Sequence, residues 1–298
     1  MILVDYSQIS LAAILTFQRE LKGDEGEIKN LIRHVTLSTI KSYKKKYGAE
    51  YGEVVICCDG RKYWRRDFFE YYKGNRKKSR ESSDLDWHLI FDTLNEMRQD
   101  IAEHFPYRVI HMDRAEADDI IATMVEWSQD NDLVQEGITS EPQPVLILSS
   151  DKDFRQLQLY QNVRQWSPMA KKFLTATRKE IEEYKIEHIV KGDSGDGVPN
   201  ILSEDDIFMT EGTRQKPVSK KRLLEFFDKG FDACRNEMEK RNWHRNATLV
   251  DFSFVPEDLK KDIVTNYINN NPKGDKMSVM NYLIENRCRL LLDEIEEF

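Results

Sequence analysis

The chain opens on a short apolar run, Ile2-Leu3-Val4, closed by Asp5. A run this short, bounded by polar residues, predicts a buried strand over residues 2–6, with Ser7 able to cap the helix that follows. Three similar runs recur: 53–58 (EVVICC), which ends at Asp59; 107–112; and 144–148, which leads into Ser149-Ser150-Asp151. Between them, apolar positions repeat at helical spacing over 28–47, 84–104 and 116–128. Residues 163–174 predict a strand and hairpin. Residues 181–191 predict a helix running into Gly192-Asp193-Ser194-Gly195-Asp196-Gly197. This alternation predicts an α/β fold with a central, mostly parallel sheet flanked by helices. Beyond about residue 180 the strand signals fade, and 220–229, 231–241 and 278–297 read as helices. The expected organisation is an α/β domain over 1–180 and a mainly helical region over 181–298.

Composition narrows the class. With 298 residues, 40% of them hydrophobic, the chain can bury a sizeable core without a disulfide or metal staple. Its longest apolar runs are too short to span a membrane, and its start lacks the basic and apolar stretches of a signal peptide. Four cysteines, two of them adjacent (Cys57 and Cys58), make neither a disulfide framework nor a zinc spacing. A reducing cytosol is the expected compartment.

The net charge of −8 points away from nucleic acid until its distribution is considered. Residues 61–80 (RKYWRRDFFEYYKGNRKKSR) hold nine basic and two acidic side chains, a local +7 that leaves −15 for the remainder. Six aromatics lie among those cations. Phosphates attract the charges and unpaired bases can stack on the rings.

Three predicted strands end in aspartate: Asp5, Asp59 and Asp151. Parallel sheets bind ligands outside the carboxyl ends of their strands. Acids gathered there repel one another unless a cation compensates. Glu116, Asp118 and Asp119 follow the third strand, Asp153 lies just beyond Asp151, and Asp193 and Asp196 lie in the glycine-rich loop. That makes nine candidate ligands, all oxygen donors, which suit Mg²⁺ or Mn²⁺ rather than zinc. Each acid alone is explained as a helix cap or turn former. Recurrence at the same end of successive strands is what a cap does not explain. A cluster of this size exceeds one ion's needs, and two hard cations can bridge a phosphate undergoing hydrolysis.

These residues, in this order, resemble the 5′-nuclease or flap-endonuclease family. The segments that carry the likeness are VDYSQ (4–8), CDGRKYWRRDFFEYYKGNR (58–76), EADDIIA (116–122), SSDKDFRQL (149–157), QWSPM (165–169) and KGDSGDGV (191–198). The QWSPM and YWRRDF stretches narrow it to the branch found in T-even-type bacteriophages, 5′→3′ exonucleases with ribonuclease H activity that remove RNA primers and short flaps. The resemblance implies a PIN-like fold with a helical arch at about 61–86. It implies two Mg²⁺ ions, replaceable by Mn²⁺. Asp5, Asp59, Asp118 and Asp151 would hold the first ion with Glu116 nearby, and Asp119, Asp153, Asp193 and Asp196 the second. Lys73 and Arg76 would contact the scissile phosphate beside the catalytic Asp151, and Tyr72 would stack on the terminal base. Arg65, Arg66, Lys77 and Lys78 would extend the grip on nucleic acid.

One departure is clear. Asp196 is followed by Gly197-Val198-Pro199 and the acidic Ser203-Glu204-Asp205-Asp206, where many relatives carry a Gly-x-Gly hairpin that grips duplex and a potassium ion. Lys216, Lys220, Lys221 and Arg222 are then the candidates for duplex contact. The implied substrates are RNA·DNA hybrid, 5′-flap and nicked duplex DNA. The implied setting is a monomer in the cytoplasm of an infected bacterial host, working with a single-strand-binding protein and a sliding clamp. Two other classes compete. An inactive nucleic-acid-binding relative would be expected to have lost acids, and all nine are present. A small-molecule phosphohydrolase would start from a nucleophilic Asp-x-Asp, and Asp5 is followed by Tyr6-Ser7.

Overall fold

The computed structural model describes residues 1–76, 83–130 and 142–298. The chain divides into two compact units, residues 1–61, 84–175 and 257–298 forming one, and residues 62–83 and 176–256 the other.

The first unit is built on a six-stranded sheet with the order β3-β2-β1-β4-β5-β6. The strands are β1 (Ile2–Asp5), β2 (Val54–Cys58), β3 (Arg108–His111), β4 (Val145–Leu148), β5 (Val163–Ser167) and β6 (Lys172–Leu174). All neighbours run parallel except β5 and β6, which form an antiparallel hairpin. β1, β2 and β4 are buried along their whole length, the expected state of parallel strands covered on both faces. The helices are α1 (Tyr6–Leu15), α2 (Glu25–Tyr51), α4 (Trp87–His104) and α5 (Ala117–Asp130), together with α9 (Glu257–Asn269) and α10 (Lys276–Glu285) near the chain end. Lys260 of α9 pairs with Glu126 of α5 at 2.8 Å. Arg108 of β3 donates to the carbonyls of Tyr267 and Asn270 at 2.6 and 2.9 Å, which fastens the end of α9 to the sheet.

The second unit contains the short α3 (Trp64–Phe68), α6 (Arg178–Lys191), α7 (Lys220–Lys229) and α8 (Glu237–Val250). The helix start at Thr177 is a full capping box with Glu180. Of the arch expected at 61–86, residues 77–82 lie outside the described residues, and α3 lies within its first part.

Two expected helices are each split. Residues 231–241 comprise a 3₁₀ turn (Gly230–Ala233) and then α8, because the Asn236 side chain accepts from the Glu239 amide at 2.9 Å and starts a new helix. Residues 278–297 comprise the remainder of α10 and a 3₁₀ segment (Arg289–Glu297), separated where Arg287 turns left-handed at φ 57°. Apolar spacing continues across both breaks, so periodicity alone does not reveal them.

Candidate active site

The strand order accounts for the acids of the first unit. β1 lies between β2 and β4, all three parallel, so Asp5, Asp59 and Asp151 emerge at one edge of the sheet. The chain leaves β1 toward β2 on one side and returns to it through β4 on the other, a topological switch point of the kind where open α/β sheets bind ligands.

Four of these acids are held by hydrogen bonds, some from near neighbours and some from distant parts of the chain. Asp5 caps α1 by accepting from the Gln8 amide at 3.2 Å, and its other oxygen accepts from the Ser149 hydroxyl at 2.8 Å. Asp59 accepts from the Ser7 hydroxyl at 2.7 Å and the Ala117 amide at 3.0 Å. Asp119 accepts from the Glu116 amide at 2.9 Å, and Asp151 from the Asp153 amide at 2.9 Å. Gly60 makes this possible: a Cβ there would lie 2.2 Å from the Met112 carbonyl oxygen, so only glycine lets the loop after β3 approach Asp59. Asp5, Glu116 and Asp119 are buried, Asp59, Asp118 and Asp153 half-buried, and Asp151 exposed.

Burial first, then the charges of Asp59 and Asp151, push the Asp5 carboxyl up to about 7. A buried acid facing two others is an unfavourable arrangement for the protein alone and a favourable one around a cation. The donor set fits a hard divalent ion.

The acids of the second unit lie in the loop after α6. Asp193 makes an Asx turn, accepting from the amides of Gly195 and Asp196 at 2.7 and 3.2 Å. Burial opposes its ionisation, but the His188 ring, 3.5 Å away, and these two amides hold its carboxyl down to about 2. Asp196 meets the basic segment. Its carboxylate accepts from the Tyr72 hydroxyl at 3.1 Å, pairs with the Arg76 guanidinium and lies 3.8 Å from Lys73 Nζ. The Lys73 amide donates to the Asp196 carbonyl at 2.7 Å, with Lys73 itself left-handed at φ 56°. Gly197 is left-handed at φ 71°, and a Cβ there would stand 2.9 Å from the Tyr71 carbonyl oxygen. Its lack of a side chain allows the two segments to touch.

The remaining predicted residues separate by exposure. Lys220, Lys221 and Arg66 are exposed. Arg65 is buried, donating to the Leu249 carbonyl at 2.8 Å and stacked on Trp64. Arg222 is buried between Glu225 and Glu239. Tyr72 is only 4% exposed and packs edge-on against Tyr63. Arg65, Arg222 and the Tyr72 ring thus lie in the protein interior, the two arginines on a buried carbonyl and a buried carboxylate and the ring on Tyr63, whereas the resemblance would have them meet nucleic acid. Lys77 and Lys78 lie outside the described residues.

Sequence reasoning missed the residues that hold the acid loops. On α8, Asn242, Arg245 and Asn246 are all buried. They donate to carbonyls of Ile189, Pro199, Ile201 and Ser203 at 2.7–3.0 Å. Arg245 and Arg241 also neutralise Asp205, which accounts for the acidic run after the loop. The available signal was a polar stripe at helical spacing inside an otherwise packed helix.

The chain matches two family models, that of the 5′-3′ exonuclease N-terminal resolvase-like domain over residues 1–189 and that of the T4 RNase H C-terminal domain over residues 179–298. It is 34% identical over 306 aligned residues to the ribonuclease H of Enterobacteria phage T4, covering 99% of this chain and 95% of the relative. The chain belongs to the 5′-3′ exonuclease family. The fold agrees. A zinc-bound T5 5′-exonuclease superposes with a TM-score of 0.59 at 17% identity, over 91% of this chain and 98% of its own. A T5 flap endonuclease complexed with DNA and metal ions gives 0.59 at 18% identity, over 90% and 99%. This 5′-3′ exonuclease is a phosphodiester hydrolase acting on nucleic acid.

Proposed function

We propose that the protein removes RNA primers and adjoining DNA from 5′ ends during replication, as a 5′→3′ exonuclease and flap endonuclease acting on RNA·DNA hybrid, 5′-flap and nicked duplex. The observation that carries this reading is the convergence of Asp5, Asp59 and Asp151 at one sheet edge, in a chain alike along nearly its whole length to a phage ribonuclease H.

Asp5, Asp59, Asp118 and Asp151 would hold the first ion with Glu116 beside them. The oxygen-only donor set favours Mg²⁺, with Mn²⁺ able to replace it, and nine acids support two ions. Divalent cations held there would supply charge neutralisation at the phosphodiester and a more acidic water. The chain's own part is placement. Lys73 and Arg76, held by Asp196, present two cations to the scissile phosphate, and Arg76 offers a planar fork suited to its oxygens. Arg66, Lys220 and Lys221 are exposed cations suited to the sugar-phosphate backbone. Tyr72 serves this placement through its hydroxyl bond to Asp196. The resemblance supports a monomer acting in the cytoplasm of an infected host, with a single-strand-binding protein and a sliding clamp as partners.

The test is cleavage of 5′-flap, nicked and RNA·DNA substrates with product sizing, with and without Mg²⁺ or Mn²⁺. Release of short 5′ products only with metal is expected. Intact substrates in every metal-containing arm would overturn the reading.

A further inference from the structure

The β5 strand has no role in the acid cluster by sequence, yet it carries a side chain that no ligand scheme uses. Gln165 is fully buried. It lies opposite Ile147 in the parallel β4–β5 ladder, two residues before Ser149. Its Nε2 donates to the carbonyls of Ser149 at 3.0 Å and Asp151 at 2.6 Å. Its Oε1 accepts from Gln158 Nε2 at 2.9 Å. The orientation is therefore fixed: two carbonyl acceptors on one side demand the NH₂ there, and the Gln158 donor demands the oxygen on the other.

The two carbonyls belong to the turn that aims the acids. Ser149 Oγ donates to Asp5 at 2.8 Å and accepts from the Asp151 amide at 3.1 Å. A strand that ends normally leaves its next carbonyls to water. Here one buried amide gathers the carbonyls on either side of Ser150, curling the chain so that Asp151 turns back toward the end of β1. Ser150 is tied as well, its amide to Gln8 Oε1 at 3.2 Å and its hydroxyl to that of Ser167 at 2.9 Å.

We propose that Gln165 is a positioning residue of the metal centre: it holds the 149–151 turn in the curl that brings Asp151 and Asp5 to a shared cation, with Gln158 setting the direction of its amide. The inference rests on the proposed reading of these acids as metal ligands. Outer partners of this kind ordinarily carry 10–100-fold in metal affinity.

The experiment titrates Mg²⁺ and Mn²⁺ into the full chain by calorimetry, with thermal melting in chelator as the fold control. Gln165→Met keeps length and apolar fit but donates nothing. Roughly a 10–100-fold weaker metal midpoint is expected, with maximal cleavage partly recovered at high metal. Gln165→Glu is expected to be at least as weak, since a carboxylate would face two carbonyl oxygens. Gln158→Met, at a half-buried position, is expected to shift the midpoint less and in the same direction. A native-like midpoint in Gln165→Met overturns the inference even if the variant melts earlier, for that is what a purely structural role would give. If Gln165→Met does not fold, Gln158→Met decides, and an unchanged midpoint there overturns it equally. Native protein that binds no divalent metal would instead sink the metal-centre reading itself, an outcome separable from a failure confined to the variants.

Discussion

The Ser149 hydroxyl donates to Asp5 at 2.8 Å and accepts from the Asp151 amide at 3.1 Å, so one side chain at the end of β4 links two of the acids that converge at the sheet edge. Neither acid could be held there by local capping alone. The bond joins residues 144 apart in sequence.

The Asp5 carboxyl gives a pH signature. Its value in the fold is about 7 against an ordinary 3.8, so between these values the folded metal-free protein binds a proton that the unfolded chain has released. That contribution to stability is present at acid pH, declines as pH rises through this window and is gone above about 7. Divalent metal should therefore raise the melting temperature more at pH 8 than at pH 5. In Asp5→Asn the metal-free protein should melt higher than native at pH 8 and lose the metal response. Equal metal-induced shifts at both pH values would contradict this origin.

Asp151→Asn removes the charge of a proposed metal ligand at an exposed position. Cleavage should fall by more than about 100-fold, beyond the loss typical of an outer partner. Binding of a 5′-flap in chelator, followed by fluorescence anisotropy, should change little.

Tyr72→Phe tests how that residue serves the site. Losing the hydroxyl bond to Asp196 should cost about 0.5–1.5 kcal/mol in denaturant unfolding, with substrate KM near native. A large rise in KM from this change would show that Tyr72 contacts nucleic acid directly.

The cations of α7 should divide by burial. Arg222→Ala strips a buried guanidinium from Glu239 and Glu225 and should destabilise by roughly 3–5 kcal/mol. Lys220→Ala and Lys221→Ala should leave the melting temperature alone and each reduce the salt slope of duplex binding by about 1. A salt slope unmoved by either lysine would remove α7 from the interface.

Several features of the site were readable along the chain because local chemistry dictates them. A run such as Ile2-Leu3-Val4 ending in Asp5 must be a buried strand meeting a cap. The Asp5 N-cap and the Asp193 Asx turn are interactions within three residues, although the cap of the first helix falls on Asp5 and the expected Ser7 lies inside α1. Asp5 is both a cap and a member of the acid cluster, so the two explanations open at each acid were never exclusive.

The sequence alone determined which residue types follow each strand and where charge accumulates, since both depend on neighbours along the chain. Only the tertiary structure decided which of those charges remain available. Arg65, Arg66 and Arg222 are equivalent in composition, yet two are buried against partners 184 and 17 residues away and one is exposed. The same holds for Gln165, part of a motif by sequence but without an assigned contact until the β4–β5 register set its amide beneath the carbonyls of Ser149 and Asp151. Desolvation and long-range pairing depend on what packs alongside, and that is a property of the fold rather than of any segment.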